Sequence, residues 1–187
     1  MKRLSHRQRV HRLAPVILLV AVAASGCITP RRASLAPVPV IPFSDGRNFM
    51  LCEDLYFKSG KWTVVVPRGF VTDFASIPRA FWTGYLPTGP YQWASVVHDY
   101  LYWEQTTSRE EADAIFLEAM TQSGVKPADR TIIYHSVRLA GGFSWDANAE
   151  NRAKGLMRVV PKKYRRIPPR KTWDEYQREI SDAGRTR

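Results

Sequence analysis

The sequence predicts a mainly α-helical domain with one small β-hairpin, an α+β fold. Two observations carry this. Between Phe49 and Val66 the chain is rich in aromatic and β-branched residues around Lys58-Ser59-Gly60-Lys61, the composition of two strands and a turn. From Tyr91 onward, apolar residues recur at helical spacing between start and stop signals.

Taken in order, Phe49–Phe57 and Trp62–Val66 are the expected hairpin strands. Pro67 and Gly69 end the pattern, and Val71 to Pro78 (VTDFASIP) reads as a structured loop, with a second loop over Gly84 to Pro90. Tyr91 to Trp103 is a predicted helix. Ser108 to Ser123 is a second, because Ser108 and Glu111 form a capping box, Gly124 suits the stop, and Ala112, Ile115, Phe116, Ala119 and Met120 make one stripe. Pro127 is placed to open a third helix reaching Gly141. Residues 151–187 read as a basic C-terminal tail with a short helix near Trp173 to Ile180, and Lys162-Lys163-Tyr164-Arg165-Arg166 as its most basic run.

The N-terminal segment reads as an export signal. Lys2, Arg3, Arg7, Arg9 and Arg12 precede an uncharged run, Leu13 to Ser25, too short to span a bilayer comfortably. Ala24-Ser25-Gly26-Cys27 resembles a bacterial lipobox, in which the cysteine is acylated, typically with palmitate, and the chain is cleaved before it. The expected organisation is a signal peptide at 1–26, a lipidated cysteine and Pro-rich tether at 27–44, a domain at 45–150 and the tail at 151–187. Ile28 is not the aspartate that retains many lipoproteins in the inner membrane, so the outer membrane, facing the periplasm, is the expected location.

The chain has 28 basic and 17 acidic residues. Removing the five signal-peptide cations leaves +6, which favours anionic partners such as lipid headgroups (anionic phospholipid among them), lipopolysaccharide or nucleic acid. Export makes nucleic acid the least favoured of these, and none is expected. After lipidation only Cys52 remains, so the fold has no internal disulfide to rest on.

His98 is the residue most suited to chemistry. Tyr102 lies one turn beyond it on the same helix face. Asp113 borders the apolar stripe of the next helix, where a carboxylate is costly unless paired. If the two helices pack antiparallel across the turn at 104–107, Asp113 reaches His98; the alternative is a salt bridge from Asp113 to an arginine. Asp99 points about 100° away from His98 and could meet Asp73, two carboxylates suited to a hard cation. Phe81, Trp82, Tyr85, Tyr91 and Trp93 read as core packing before an acyl-binding surface, and His135 as packing or surface.

Two resemblances sharpen these readings. Val66-Pro67-x-Gly69-Phe70-Val71-Thr72-Asp73-Phe74-Ala75-Ser76-Ile77-Pro78, His98-Asp99-Tyr100-Leu101-Tyr102 and Glu111-Ala112-Asp113-x-x-Phe116 resemble an uncharacterised domain family of bacteria and phages, domain of unknown function 1353. That likeness spans Phe49 to Trp145 and brings no function. The order Thr72-Asp73, Ala94 through His98-Asp99 to Tyr102, Asp113 with Phe116, then the helix bearing Tyr134 is similar to prokaryotic phospholipases A2.

The second resemblance implies an antiparallel helix pair with three catalytic residues. His98 would be the base, Asp113 its partner, and Tyr102 the support of Asp113. Calcium would be held by Asp73, Asp99 and the Phe74 carbonyl. The loop lacks the glycine-rich sequence of the animal enzymes, and their disulfides are missing. The expected function is a lipid-anchored, calcium-dependent phospholipid ester hydrolase. The alternatives are a non-catalytic envelope or prophage lipoprotein acting as a binding module, and a hydrolase of another envelope substrate such as peptidoglycan.

Overall fold

The computed structural model describes residues 38–74 and 91–185. The signal segment, Cys27, the loop residues 75–90 and the aromatics Phe81, Trp82 and Tyr85 lie outside the described residues.

The fold is α+β. The hairpin consists of β3 (Leu55–Ser59) and β4 (Trp62–Val66), antiparallel with Ser59 opposite Trp62. The turn is therefore Gly60-Lys61, tighter than the expected four residues. Gly60 sits at φ +53°, a conformation that glycine adopts without strain. Leu55, Phe57, Val64 and Val66 point into the core, while Tyr56 and Val65 face outward, the alternation of a half-buried sheet.

Phe49–Phe57 is not one strand. The backbone turns at Cys52–Asp54, where the Asp54 carboxylate accepts from the Arg68 amide at 2.6 Å. Phe49–Leu51 becomes β2 of a separate antiparallel sheet, ordered β1 (Val40–Pro42), β2, β5 (Val71–Thr72). Part of the expected tether is thus structured: Val40–Pro42 is an edge strand, and Val38 and Phe43 are buried.

Four helices follow. α1 (Gln92–Glu104) and α2 (Arg109–Gln122) are joined by a short turn and pack on each other. Ser108 caps α2, its Oγ accepting from the Glu111 amide at 3.1 Å. α3 runs from Pro127 to Ala153, well past the expected stop at Gly141. The glycine there serves close approach rather than termination, since a Cβ on Gly141 would overlap the Tyr102 hydroxyl of α1. Beyond it, Asn148 donates to the Tyr102 carbonyl at 3.2 Å, tying the added turns to α1.

The C-terminal residues are not a solvated tail. Arg158–Val160 runs beside β5, with the Val71 amide donating to the Arg158 carbonyl at 2.9 Å and the Val160 amide to the Gly69 carbonyl at 2.8 Å. After a 3₁₀ turn at Lys162–Tyr164, α4 (Trp173–Arg185) inserts Trp173, Tyr176 and Ile180 against Phe43, Met50, Val71 and Val160. The other core joins the hairpin to α1, α2 and α3 and takes in Leu51 and Phe70. The β1–β2–β5 sheet is therefore covered on both faces, with Phe70 and Leu51 on the α1 side and Val71 and Met50 on the α4 side. Among the described residues no helix is long and apolar enough to cross a membrane.

Candidate functional site

The α1–α2 packing brings His98 and Asp113 together. His98 Nε2 lies 2.8 Å from Asp113 Oδ1, and both side chains are almost wholly buried. The imidazole stacks on Phe116 with ring centroids 4.5 Å apart and packs against Tyr102 at 4.1 Å. Its orientation is fixed on both flanks. Tyr102 Oη donates to the same Asp113 oxygen at 2.7 Å.

The second carboxylate oxygen has cationic partners. Arg138 Nη1 on α3 donates to Asp113 Oδ2 at 2.7 Å, and Arg109 Nη1 lies 3.6 Å away. Both sequence readings of Asp113 therefore hold at once: it meets His98 and it salt-bridges arginine. The α3 contact to Asp113 comes from Arg138, one turn beyond Tyr134. The fully buried Asp113 signalled the need for a cation, and Arg109 stands one helical turn before it.

These partners set the protonation states. Burial pushes the Asp113 pKa up, but hydrogen bonds from His98, Tyr102 and Arg138 outweigh it and hold the carboxyl below its ordinary 3.8. For His98 burial dominates and lowers the pKa from 6.5, against the opposing pull of the Asp113 hydrogen bond and charge. With its charge shared by two arginines, Asp113 stabilises an imidazolium less than a bare carboxylate would. Burial and the Asp113 hydrogen bond likewise raise the Tyr102 pKa, keeping that phenol a donor.

An acid-sensitive fold follows. Below pH 6.5 the unfolded chain binds a proton at this histidine before the folded chain does, so acid favours unfolding. The stability present above pH 6.5 is lost as pH falls through the lower folded value, and Asp113 adds to the loss only below 3.8. Urea midpoints measured from pH 7.5 down to pH 4.5 should fall across this range, and His98→Gln should flatten the upper part of the decline.

His98, Tyr102, Asp99 and Asp73 line one cavity of about 360 Å³, closed on the far side by Val137, Gly141, Ser144 and Asn148 of α3. Asp99 accepts a hydrogen bond from Thr72 Oγ1 at 2.5 Å, and the same hydroxyl accepts from the Phe74 amide at 3.1 Å. Phe74 itself sits at φ +52°, a left-handed conformation that costs a non-glycine residue of order 1–3 kcal/mol. Thr72 thus ties the strained end of the β5 loop to the cavity.

Asp73 shares the cavity with Asp99 but is ion-paired to Arg158, whose Nη2 lies 3.2 Å from its Oδ1. Among the described residues no group of three or more His, Cys, Asp or Glu side chains is arranged to hold a metal. Of the residues expected to bind calcium, Asp73 and Asp99 line the same cavity, with an arginine already on one of the two carboxylates. Arg158, from the segment read as a tail, had no sequence signal beyond its charge.

Residues 49–137 match the family model described as Protein of unknown function (DUF1353). No curated protein and no solved structure matches the chain. The DUF1353 match agrees with the likeness read from the Val66–Pro78, His98–Tyr102 and Glu111–Phe116 motifs. It begins at β2, contains Asp73, His98, Asp99, Tyr102, Arg109 and Asp113, and ends within α3. Arg138 and Arg158 both lie beyond the DUF1353 segment.

Proposed function

We propose that the cavity is a hydrolytic site for a lipid ester, in the manner of the phospholipase A2 likeness. The observation that carries this reading is the 2.8 Å contact between His98 Nε2 and Asp113 Oδ1 on the wall of an open cavity.

With Nε2 donating to the Asp113 carboxylate, Nδ1 is the basic nitrogen of the ring. Nδ1 takes a proton from a water molecule as that water's oxygen bonds to the ester carbonyl carbon. The carbonyl π electrons move to oxygen, giving a tetrahedral oxyanion. Its collapse breaks the bond to the alkoxide, which leaves with the proton held on Nδ1, yielding an acid and an alcohol. Asp113 fixes the tautomer and balances the transient imidazolium, while Tyr102, Arg138 and Arg109 hold Asp113 in place. A lowered His98 pKa keeps the base unprotonated at neutral pH.

Calcium fits these residues poorly, since the Arg158 guanidinium already neutralises Asp73. The proton chemistry runs on the chain's own side chains. Lipid attached at Cys27 would place the domain on the periplasmic face of the outer membrane, beside phospholipid.

A second reading, a non-catalytic envelope domain, draws on the burial of His98, which is 2% exposed. On that reading the His98–Asp113–Arg138 network is a polar clamp between three helices. The folded protein, freed of its lipid anchor and mixed with phospholipid–detergent micelles, is expected to release fatty acid. Release from peptidoglycan fragments instead would assign another envelope substrate, and no release from either would leave the binding module.

A further inference from the structure

We propose that Arg158 is the resident cation of the cavity, and that it receives an anionic phosphate-type oxygen of the substrate where a metal was expected. This deepens the ester-hydrolase reading and rests on it for the identity of the substrate.

Arg158 stands beside β5, and its placement is fixed by the backbone pairing of Arg158–Val160 with Gly69–Val71. The side chain then reaches over the Phe70 ring, with its guanidinium carbon 5.8 Å from the ring centroid. Nε donates to the Val71 carbonyl at 2.8 Å, and Nη2 donates to Asp73 Oδ1 at 3.2 Å. The guanidinium is thus held on two sides and only 15% exposed, yet it lines the same cavity as His98. Nη1 donates to no acceptor among the described residues. A planar, pre-oriented fork with donors in hand is suited to an oxyanion of phosphate.

The carboxylates argue in the same direction. A divalent cation between Asp73 and Asp99 would sit against a fixed positive charge already bonded to Asp73 and would have to displace it. An arriving phosphate oxygen meets attraction from Arg158 and repulsion from Asp73 and Asp99, the first sharing its charge with the guanidinium and the second accepting from the Thr72 hydroxyl. The cavity therefore recognises an ester carrying a phosphate group. That chemistry is shared by a phospholipid headgroup and by free phosphate.

Binding can be read without turnover. The folded protein in chelator is titrated by calorimetry with glycerol 3-phosphate, inorganic phosphate and a short-chain phosphatidylglycerol below its micelle threshold. Wild type should bind at least one of these, and Arg158→Gln should weaken binding by roughly tenfold to a hundredfold, the loss of a charged hydrogen bond. Arg158→Lys keeps the charge but not the fork and should fall between them, which guards against misfolding of the glutamine variant. Asp73→Asn removes the competing carboxylate and should tighten the anion. Stronger binding of the phospholipid assigns the site to a headgroup, and equal binding of inorganic phosphate assigns it to the free anion; either supports the proposal.

Unchanged affinity in Arg158→Gln, or no anion binding by wild type, would overturn it. So would calcium binding that Asp73→Asn abolishes. Fatty acid release without any anion binding would sink the Arg158 assignment and leave the His98 reading standing. Anion binding without release would do the reverse.

Discussion

Asp113→Ala is expected to destabilise the protein by about 3–5 kcal/mol, the cost of breaking a buried charge pair from one side. Four groups converge on this carboxylate: His98 at 2.8 Å, Tyr102 at 2.7 Å, Arg138 at 2.7 Å and Arg109 at 3.6 Å. Removing it strands an imidazole and a phenol in the core and leaves Arg138 facing an apolar gap. Thermal unfolding should drop by roughly 10 °C for a domain of this size. Asp113→Asn keeps an acceptor for His98 and Tyr102 at Oδ1 but loses the charge and sets an amide donor against Arg138 where Oδ2 accepted, so it should still cost about 1–3 kcal/mol. Equal stability of the alanine variant and wild type would mean that α1, α2 and α3 are not joined through Asp113.

His98→Gln should separate chemistry from folding. The glutamine retains a polar group against Asp113 but has no nitrogen that takes a proton near neutral pH. General-base catalysis contributes about 10²- to 10⁴-fold, so fatty acid release should fall by that factor while the circular dichroism spectrum stays unchanged. The loss should lie in kcat rather than KM, because the base acts on the attacking water and not on the bound lipid. Undiminished release from the glutamine variant would place the chemistry elsewhere in the cavity.

How much of this was legible in the sequence depended on how local each cause is. α2 was readable because its capping box and stripe are contained within it, and Ser108 does cap Glu111. The His98–Asp113 contact was readable because a short turn between two amphipathic helices leaves few ways to pack them. Arg138 and Arg158 were not readable as site residues, since they arrive from 25 and 85 positions away from the carboxylates they meet.

The errors in the fold have physical causes as well. Gly141-Gly142 looked like a stop, yet the missing Cβ lets α3 lie against Tyr102. The Pro-rich stretch hid β1 because an edge strand tolerates proline; Pro42 pairs with Phe49 there. The tail concealed its packing because Trp173, Tyr176 and Ile180 are sparse among charged residues, although Thr172 and Glu175 form a second capping box that signals the start of α4.

The measurement that bears most directly on the account is the ¹⁵N chemical shift of the His98 imidazole followed through pH. A base oriented by Asp113 should be neutral at pH 6.5, with its proton on Nε2 and a titration midpoint below 6.5. A ring that is already cationic at that pH, or one carrying its proton on Nδ1, would contradict it.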